Sequence, residues 1–341
     1  MTNTARVVLR GTGVKKYFPV RGSVLNRGKK DVKAVDGVDI SLHEGEIYGL
    51  VGETGCGKST LGRTLAYLTE PTGGSIEVLD QDITQMKRQQ LIEMRRNIQM
   101  VFQDPYTSLD PKQRVGDILT EALKIHNIGT KESRMDTAVE IMEKVGLRLE
   151  HFYRYPHEFS GGQRQRVGLA RALILNPKII ICDEPVSALD VSIQAQIINL
   201  LQDLREKDQI SFLFIAHDMS VVKYVSDRVG VMYLGHMMEE AETEELFRNT
   251  LHPYAKALLS AVPNPSPHTK KERIVLKGDL PSPINLPSGC VFHTRCPYAT
   301  EQCSLQTPQL KLVAPGHRVA CLMYEQGWSG AGIDSAPVEN N

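Results

Sequence analysis

Nine residues limit what this chain can fold into: Gly52-Glu53-Thr54-Gly55-Cys56-Gly57-Lys58-Ser59-Thr60. They fit G-x-x-x-x-G-K-S/T, the spacing of a phosphate-binding loop. The run before them, Glu46-Ile47-Tyr48-Gly49-Leu50-Val51, predicts a buried strand, and Leu61–Leu68 after them predicts a helix. Glycines let backbone N–H groups turn inward around a polyphosphate, and the helix start adds partial positive charge. Lys58 has the reach for the β- and γ-phosphates, and the Ser59 hydroxyl suits Mg²⁺. At ordinary glycine usage a chance match is on the order of 1% for a chain of this length. The plain glycine-rich turn is therefore the weaker reading, and Gly52–Thr60 predict a nucleoside triphosphate site.

The rest of the chain supplies what such a site needs. Lys178-Ile179-Ile180-Ile181-Cys182-Asp183-Glu184-Pro185 is an apolar run ending in two carboxylates. It predicts a strand buried on both faces of a parallel sheet, with its acids at the mouth where nucleotides bind. Asp183 fits the Mg²⁺ side, and Glu184 fits a base that orients or activates water; two merely solvated acids are the bland alternative. Ile210–Asp218 predicts a second such strand with His217 at its end. A lone histidine is more often structural, but its place at the same sheet edge makes a functional role an equal contender. A strand ends at Gln103, and Pro105 and Pro111 enforce the loop after it.

Val115, Ile118, Leu119, Ala122 and Leu123 form one helical stripe, and Met135, Ala138, Val139, Met142 and Val145 another, so a helical insertion follows Gln103. Ser160-Gly161-Gly162-Gln163 opens a further helix, with Ser160 as its N-cap. Earlier, Arg6–Leu9, Val32–Val35 and Val38–Leu42 predict short edge strands, with a basic loop at 21–30. Tyr17-Phe18 is either a base-stacking platform or core. Arg228–Leu234 with Met237–Glu239 predicts a closing hairpin, and helices follow at Glu244–Phe247 and Pro253–Ala261.

Composition narrows the partners. The 341 residues carry 40 basic and 40 acidic side chains, so nothing favours a nucleic-acid binder. No run approaches 18 apolar residues, the start has no signal-peptide pattern, and the expectation is a cytosolic chain with reduced thiols. Four of the six cysteines fall between Cys290 and Cys321, and ten of the 18 prolines lie after residue 260.

Taken together, these motifs resemble the ATP-binding cassette (ABC) family of transport ATPases over nearly the whole chain. Gly52–Thr60 matches the Walker A motif, Ile179–Glu184 Walker B and Gln103 the Q-loop glutamine. Phe159–Gln163 matches the signature motif, with Phe where Leu is commonest; Ser187–Asp190 matches the D-loop and His217 the switch histidine. In the family register Phe18, not Tyr17, takes the adenine-stacking position. The resemblance implies an α/β P-loop cassette: a mostly parallel core sheet, an N-terminal antiparallel β-subdomain and a helical subdomain at about 104–172, within residues 1–262. It implies ATP and Mg²⁺ as ligands, with Ser59, Gln103 and Asp183 on the metal and Glu184, Gln103 and His217 in hydrolysis. It also implies head-to-tail closure, in which Ser160, Gly161, Gly162 and Gln163 meet the partner's ATP.

Within the family, Gly57–Leu65, Phe102–Pro111, Arg154-Tyr155-Pro156-His157-Glu158 and Leu251-His252-Pro253-Tyr254 look like ATPases of dipeptide and oligopeptide importers, the second (DppF/OppF) type. Some members have a degraded Walker B end; this chain keeps Glu184, so a competent site is expected. The implied partners are a paralogous ATPase in a heterodimer, two membrane permease subunits and an extracytoplasmic peptide-binding protein, at the cytoplasmic face of the inner membrane. A nickel or glutathione importer is the nearest rival. A soluble ABC ATPase acting on ribosomes or nucleic acid is a rival of another class; a single cassette without sustained heptads argues against it.

Residues 263–325 are Pro-rich and hold Cys290, Cys296, Cys303 and Cys321, a spacing without tight zinc-type pairs. So short a segment needs a staple. The run Gly289–Pro297 resembles the C-terminal region of peptide-importer ATPases, some of which carry a 4Fe-4S cluster. A 4Fe-4S cluster that folds this loop-rich module and takes no part in hydrolysis is expected, with Zn²⁺ or free thiols as alternatives. Residues 326–341 read as a disordered tail.

Overall fold

A computed structural model of the protein describes residues 6–20, 30–104, 108–187, 189–262 and 273–325. The expected basic loop (all but Lys30), the boundary near 263 and the tail after 325 lie outside the described residues.

Two long strands open the fold, where the sequence suggested three short ones. β1 (Val7–Pro19) and β2 (Asp31–His43) pair antiparallel. Val32–Val35 and Val38–Leu42 are two halves of β2, because Gly37 is an extra residue in the pairing. Val14 faces Val38 while Lys15 faces Asp36, leaving Gly37 as a bulge at φ 77°. With β4 (Gly73–Val78) and β5 (Gln81–Asp82) they form an antiparallel sheet in the order β2-β1-β4-β5.

β3 (Ile47–Val51) leads into α1 (Lys58–Leu65), and α2 (Arg88–Met94) precedes β6 (Ile98–Val101). α3 (Val115–Ile125), α4 (Lys131–Lys144) and α5 (Gly161–Leu173) form the helical insertion. Of the two predicted stripes, Val115, Leu119, Ala138, Met142 and Val145 are fully buried, whereas Met135 is exposed. There follow β7 (Ile179–Asp183), α6 (Val191–Asp208), β8 (Ser211–Ile215), α7 (Met219–Val225), β9 (Arg228–Tyr233), β10 (His236–Glu242), α8 (Thr243–Arg248) and α9 (Pro253–Ser260).

β9, β3, β8, β7 and β6 lie parallel in that order, and β10 turns back antiparallel on β9. Every residue of β3, β7 and β8 is buried, which is why these runs are apolar without alternation. α1 lies close on the sheet at Gly62, where a Cβ would come within 2.8 Å of Ile215 and 3.2 Å of Ile181. That approach fixes the helix start, and with it the phosphate loop, over the strand ends.

The segment after 273, expected as a loop-rich module, carries some regular structure. α10 (Glu301–Leu305) is followed by β11 (Lys311–Ala314) and β12 (His317–Val319). Their hairpin pairs with β10 and extends the main sheet to eight strands among the described residues. Val291, Phe292, Val319 and Leu322 of the segment are buried, whereas Val275, Leu305 and Leu312 are exposed. Phe292 packs 5.2 Å from Tyr233, 5.4 Å from Tyr254 and 5.6 Å from His252. The segment shares the cassette's core instead of building its own.

Candidate active site

The strand ends and α1 enclose a cavity of about 350 Å³ lined by Thr54, Gly55, Cys56, Gly57, Lys58, Ser59, Thr60, Gln103 and Glu184, with Phe18 on the rim wall. Gly57 sits at φ 107°, and a Cβ there would lie 2.1 Å from the Ala34 carbonyl; the close fold of the loop requires glycine. Lys58, almost fully buried, donates from Nζ to the Gly52 carbonyl at 2.8 Å and the Glu53 carbonyl at 3.1 Å. These are contacts that a phosphate oxygen can replace. Cys56 is buried, and burial pushes its thiol pKa up, so it acts here as packing.

Ser59 Oγ donates to Asp183 Oδ1 at 2.6 Å. Asp183 is fully buried, and its Oδ2 has no hydrogen-bond partner among the described residues; the Arg63 guanidinium stands 3.9 Å away. Burial raises the Asp183 pKa, against the lowering effect of Ser59 and Arg63. An unsatisfied buried carboxylate oxygen beside a hydroxyl is the donor set that Mg²⁺ takes, so these residues fit the metal.

Glu184 follows in the left-handed region at φ 47°, a strained conformation for a residue with a Cβ. Its N–H donates to the Ile215 carbonyl at 3.0 Å, locking it to the neighbouring strand. Glu184 Oε2 receives Gln103 Nε2 at 2.9 Å, and His217 Nδ1 lies 3.3 Å from the same oxygen. Three residues from three different strand ends thus meet at one carboxylate oxygen, and two of them, Gln103 and Glu184, line the cavity.

Other expected residues lie elsewhere. Tyr17 is bonded to Asp36 and is not in the cavity lining, whereas Phe18 is. Ser160 caps α5: its Oγ accepts from Gln163 N at 3.4 Å, and Gln163 Oε1 accepts from Ser160 N at 3.0 Å. Ser160, Gly161, Gly162 and Gln163 do not line this chain's own cavity. The Glu53 side chain turns away from the cavity to Arg295. Pro283 lines the cavity beside Phe18 and Val32, and its carbonyl accepts from Lys33 N at 3.0 Å. Sequence reasoning missed Pro283, and no local signal could have found it; Arg295 lay inside the noted Gly289–Pro297 run.

Cys290 and Cys303 are buried, and Cys290 N donates to the Cys303 carbonyl at 2.8 Å. Burial, aided by mutual repulsion, pushes the thiols of Cys290 up to about 11 and of Cys296 and Cys321 up to about 12. As arranged here, among the described residues no group of three or more His, Cys, Asp or Glu side chains is placed to hold a metal ion.

The fold and this site define a P-loop ATPase of the ABC type: a cradle for polyphosphate, a magnesium side and a strained, doubly contacted carboxylate. Residues 35–187 match the ABC transporter family, and residues 238–303 match the oligopeptide/dipeptide transporter C-terminal region. The oligopeptide transport ATP-binding protein AppF of Bacillus subtilis is 55% identical over 93% of this chain and 97% of its own length. The di/tripeptide transport ATP-binding protein DppF of Pseudomonas aeruginosa is 47% identical over 94% of this chain and 98% of its own. The dimeric, post-hydrolysis structure of an ATP-binding cassette with ADP and Pi superposes at TM-score 0.62, with 28% identity, over 69% of this chain and 98% of that one. The chain belongs to the ABC transporter ATPases that carry the oligopeptide/dipeptide transporter C-terminal region.

Proposed function

We propose that this chain hydrolyses ATP to drive import of di- and oligopeptides, docked through permease subunits at the cytoplasmic face of the inner membrane. The observation that carries it is Glu184, strained at φ 47° and held by Gln103 and His217 over a phosphate cradle, in a chain with the peptide-transporter region at 238–303. That region favours peptides over the nickel, glutathione and soluble ribosome or nucleic-acid readings. Among the described residues no helix is long and apolar enough to cross a membrane, so translocation falls to the permeases. In this reading Lys58 and the loop N–H groups hold the phosphates, Phe18 stacks on adenine, and Ser59, Asp183 and Gln103 hold Mg²⁺. Bound there, Mg²⁺ supplies charge neutralisation of the phosphates. Glu184 orients the attacking water, with His217 and Gln103 steadying it.

The functional unit is a heterodimer with a paralogous ATPase, served by two permeases and an extracytoplasmic peptide-binding protein. Support comes from Ser160-Gly161-Gly162, a helix start outside this chain's own cavity and so available to a partner's ATP. The working division is a cassette at 1–262, with its helical subdomain at about 104–172, and a module at 263–325. Cys290, Cys296, Cys303 and Cys321 close on one 4Fe-4S cluster, or on Zn²⁺ in its place; the likeness of Gly289–Pro297 to peptide-importer ATPases supports this reading, and the four thiols must draw closer than they stand here. Brown protein with iron and sulfide about four each per chain is the expected result; metal-free protein with a protease-resistant tail would remove the cluster.

The test of function is uptake of labelled dipeptide and oligopeptide by vesicles carrying the assembled complex. ATP-dependent uptake that Glu184→Gln abolishes is expected. Uptake of nickel or glutathione in place of peptides would overturn the substrate assignment.

A further inference from the structure

Glu53, the second residue of the phosphate loop, is tied down at three points. Its N–H donates to Tyr254 Oη at 2.7 Å, its carbonyl accepts from Lys58 at 3.1 Å, and its carboxylate receives both terminal nitrogens of Arg295, at 2.7 and 3.1 Å. Arg295 lies 242 residues downstream, directly before Cys296. Its side chain is only 8% exposed, its guanidinium stands 5.9 Å from the Tyr233 ring, and its Nη1 also donates to Tyr233 Oη at 3.5 Å. Tyr233, Tyr254 and Phe292 wall this contact with centroids 4.7 to 5.4 Å apart. The bond to Glu53 raises the guanidinium pKa further, so Arg295 stays charged.

The chemistry of the loop makes this pair consequential. A phosphate loop gathers positive charge for a polyanion, and a carboxylate within it opposes binding. A bidentate guanidinium cancels that charge and fixes the carboxylate in one direction, away from the phosphates. The backbone of Glu53 is also where the Lys58 ammonium rests, so the pair holds the residue that Lys58 leaves when it turns to phosphate.

We propose that Arg295 is a positioning residue for ATP binding: by neutralising and anchoring Glu53, the C-terminal segment sets the charge and shape of the phosphate loop. The proposal rests on the nucleotide site described above and concerns none of the cluster chemistry.

The test is equilibrium binding of ATP, ADP and AMP to the full chain, wild type and variant, at fixed Mg²⁺ and moderate salt. Arg295→Met leaves the Glu53 charge unpaired and is expected to weaken ATP about tenfold, ADP less and AMP least. The double variant Glu53→Gln with Arg295→Met removes the stranded charge and is expected to recover most of the loss, which a purely structural strut would not allow. If Arg295→Met does not fold, Glu53→Gln alone decides: it keeps the guanidinium and should bind ATP at least as tightly as wild type. Arg295→Met within twofold of wild type, an equal loss for ATP and AMP, an unrescued double variant, or a tenfold loss in Glu53→Gln would each overturn the proposal. Wild-type chain that binds no ATP would overturn the site itself.

Discussion

Ser59 Oγ and Asp183 Oδ1 are 2.6 Å apart although 124 residues separate them. The bond joins the first turn of α1 to the end of β7, and it uses only one of the two Asp183 oxygens. The second is buried without a hydrogen bond among the described residues. The fold therefore holds a buried carboxylate oxygen, with the Arg63 guanidinium 3.9 Å away, at the place where a cation is needed.

Replacing Asp183 by Asn separates stability from function. The folded pKa of Asp183 is raised by burial, so its contribution to stability is full below the unfolded value and is lost as pH rises through the folded one. Ionising the group in the folded chain therefore costs stability. Asp183→Asn should raise unfolding free energy by about 1 kcal/mol while Mg²⁺ ceases to tighten ATP binding. Titrations of ATP with and without Mg²⁺ check this; an unchanged magnesium effect would remove Asp183 from the metal site.

His317 makes the attachment of the C-terminal hairpin depend on pH. Its Nε2 lies 2.8 Å from Glu239 Oε1, and its Nδ1 lies 3.6 Å from Glu245 Oε1, with the imidazole fully buried. Burial alone lowers the imidazole pKa, but the bonds and charges of Glu239 and Glu245 outweigh it and raise it above 6.5. The stabilisation is thus full below 6.5 and lost as pH climbs through the raised value. Hydrogen exchange over residues 311–319 should quicken as pH rises above 6.5, beyond the intrinsic base-catalysed increase. Protection that stays flat would show that His317 is buried neutral.

Phe292→Ala should cost about 3–5 kcal/mol, because the ring is fully buried in the cluster with Tyr233 and Tyr254. Thermal unfolding measures it. The loss should appear in the cassette's main transition, since the segment shares its core. A separate early transition that leaves the cassette untouched would mean the segment folds by itself.

Much of this site was legible because its chemistry imposes local spacing. Gly52–Thr60 must be contiguous to wrap phosphate, and the runs before Asp183 and His217 are apolar because β7 and β8 are buried on both faces. Both carboxylates and the histidine then fall at strand ends by chain order alone. What stayed hidden depends on contacts between distant segments. Arg295 and Pro283 reach the loop and the cavity from more than 200 residues away, and neither residue type announces a destination. The hairpin β11–β12 is short, and Lys311, Leu312 and Val313 are exposed, so no alternation marks it as part of a sheet. Gly37 concealed the continuity of β2 because a bulge breaks the period of two.

Glu184 is the centre of the proposed mechanism, its carboxylate meeting Gln103 and His217 at the mouth of the phosphate cavity. The most direct measurement is steady-state phosphate release by the complex assembled with its permeases and partner ATPase, wild type against Glu184→Gln, with ATP affinity measured in parallel. Unchanged affinity and a rate lowered about 10²–10⁴-fold are expected. Hydrolysis within threefold of wild type would contradict the mechanism.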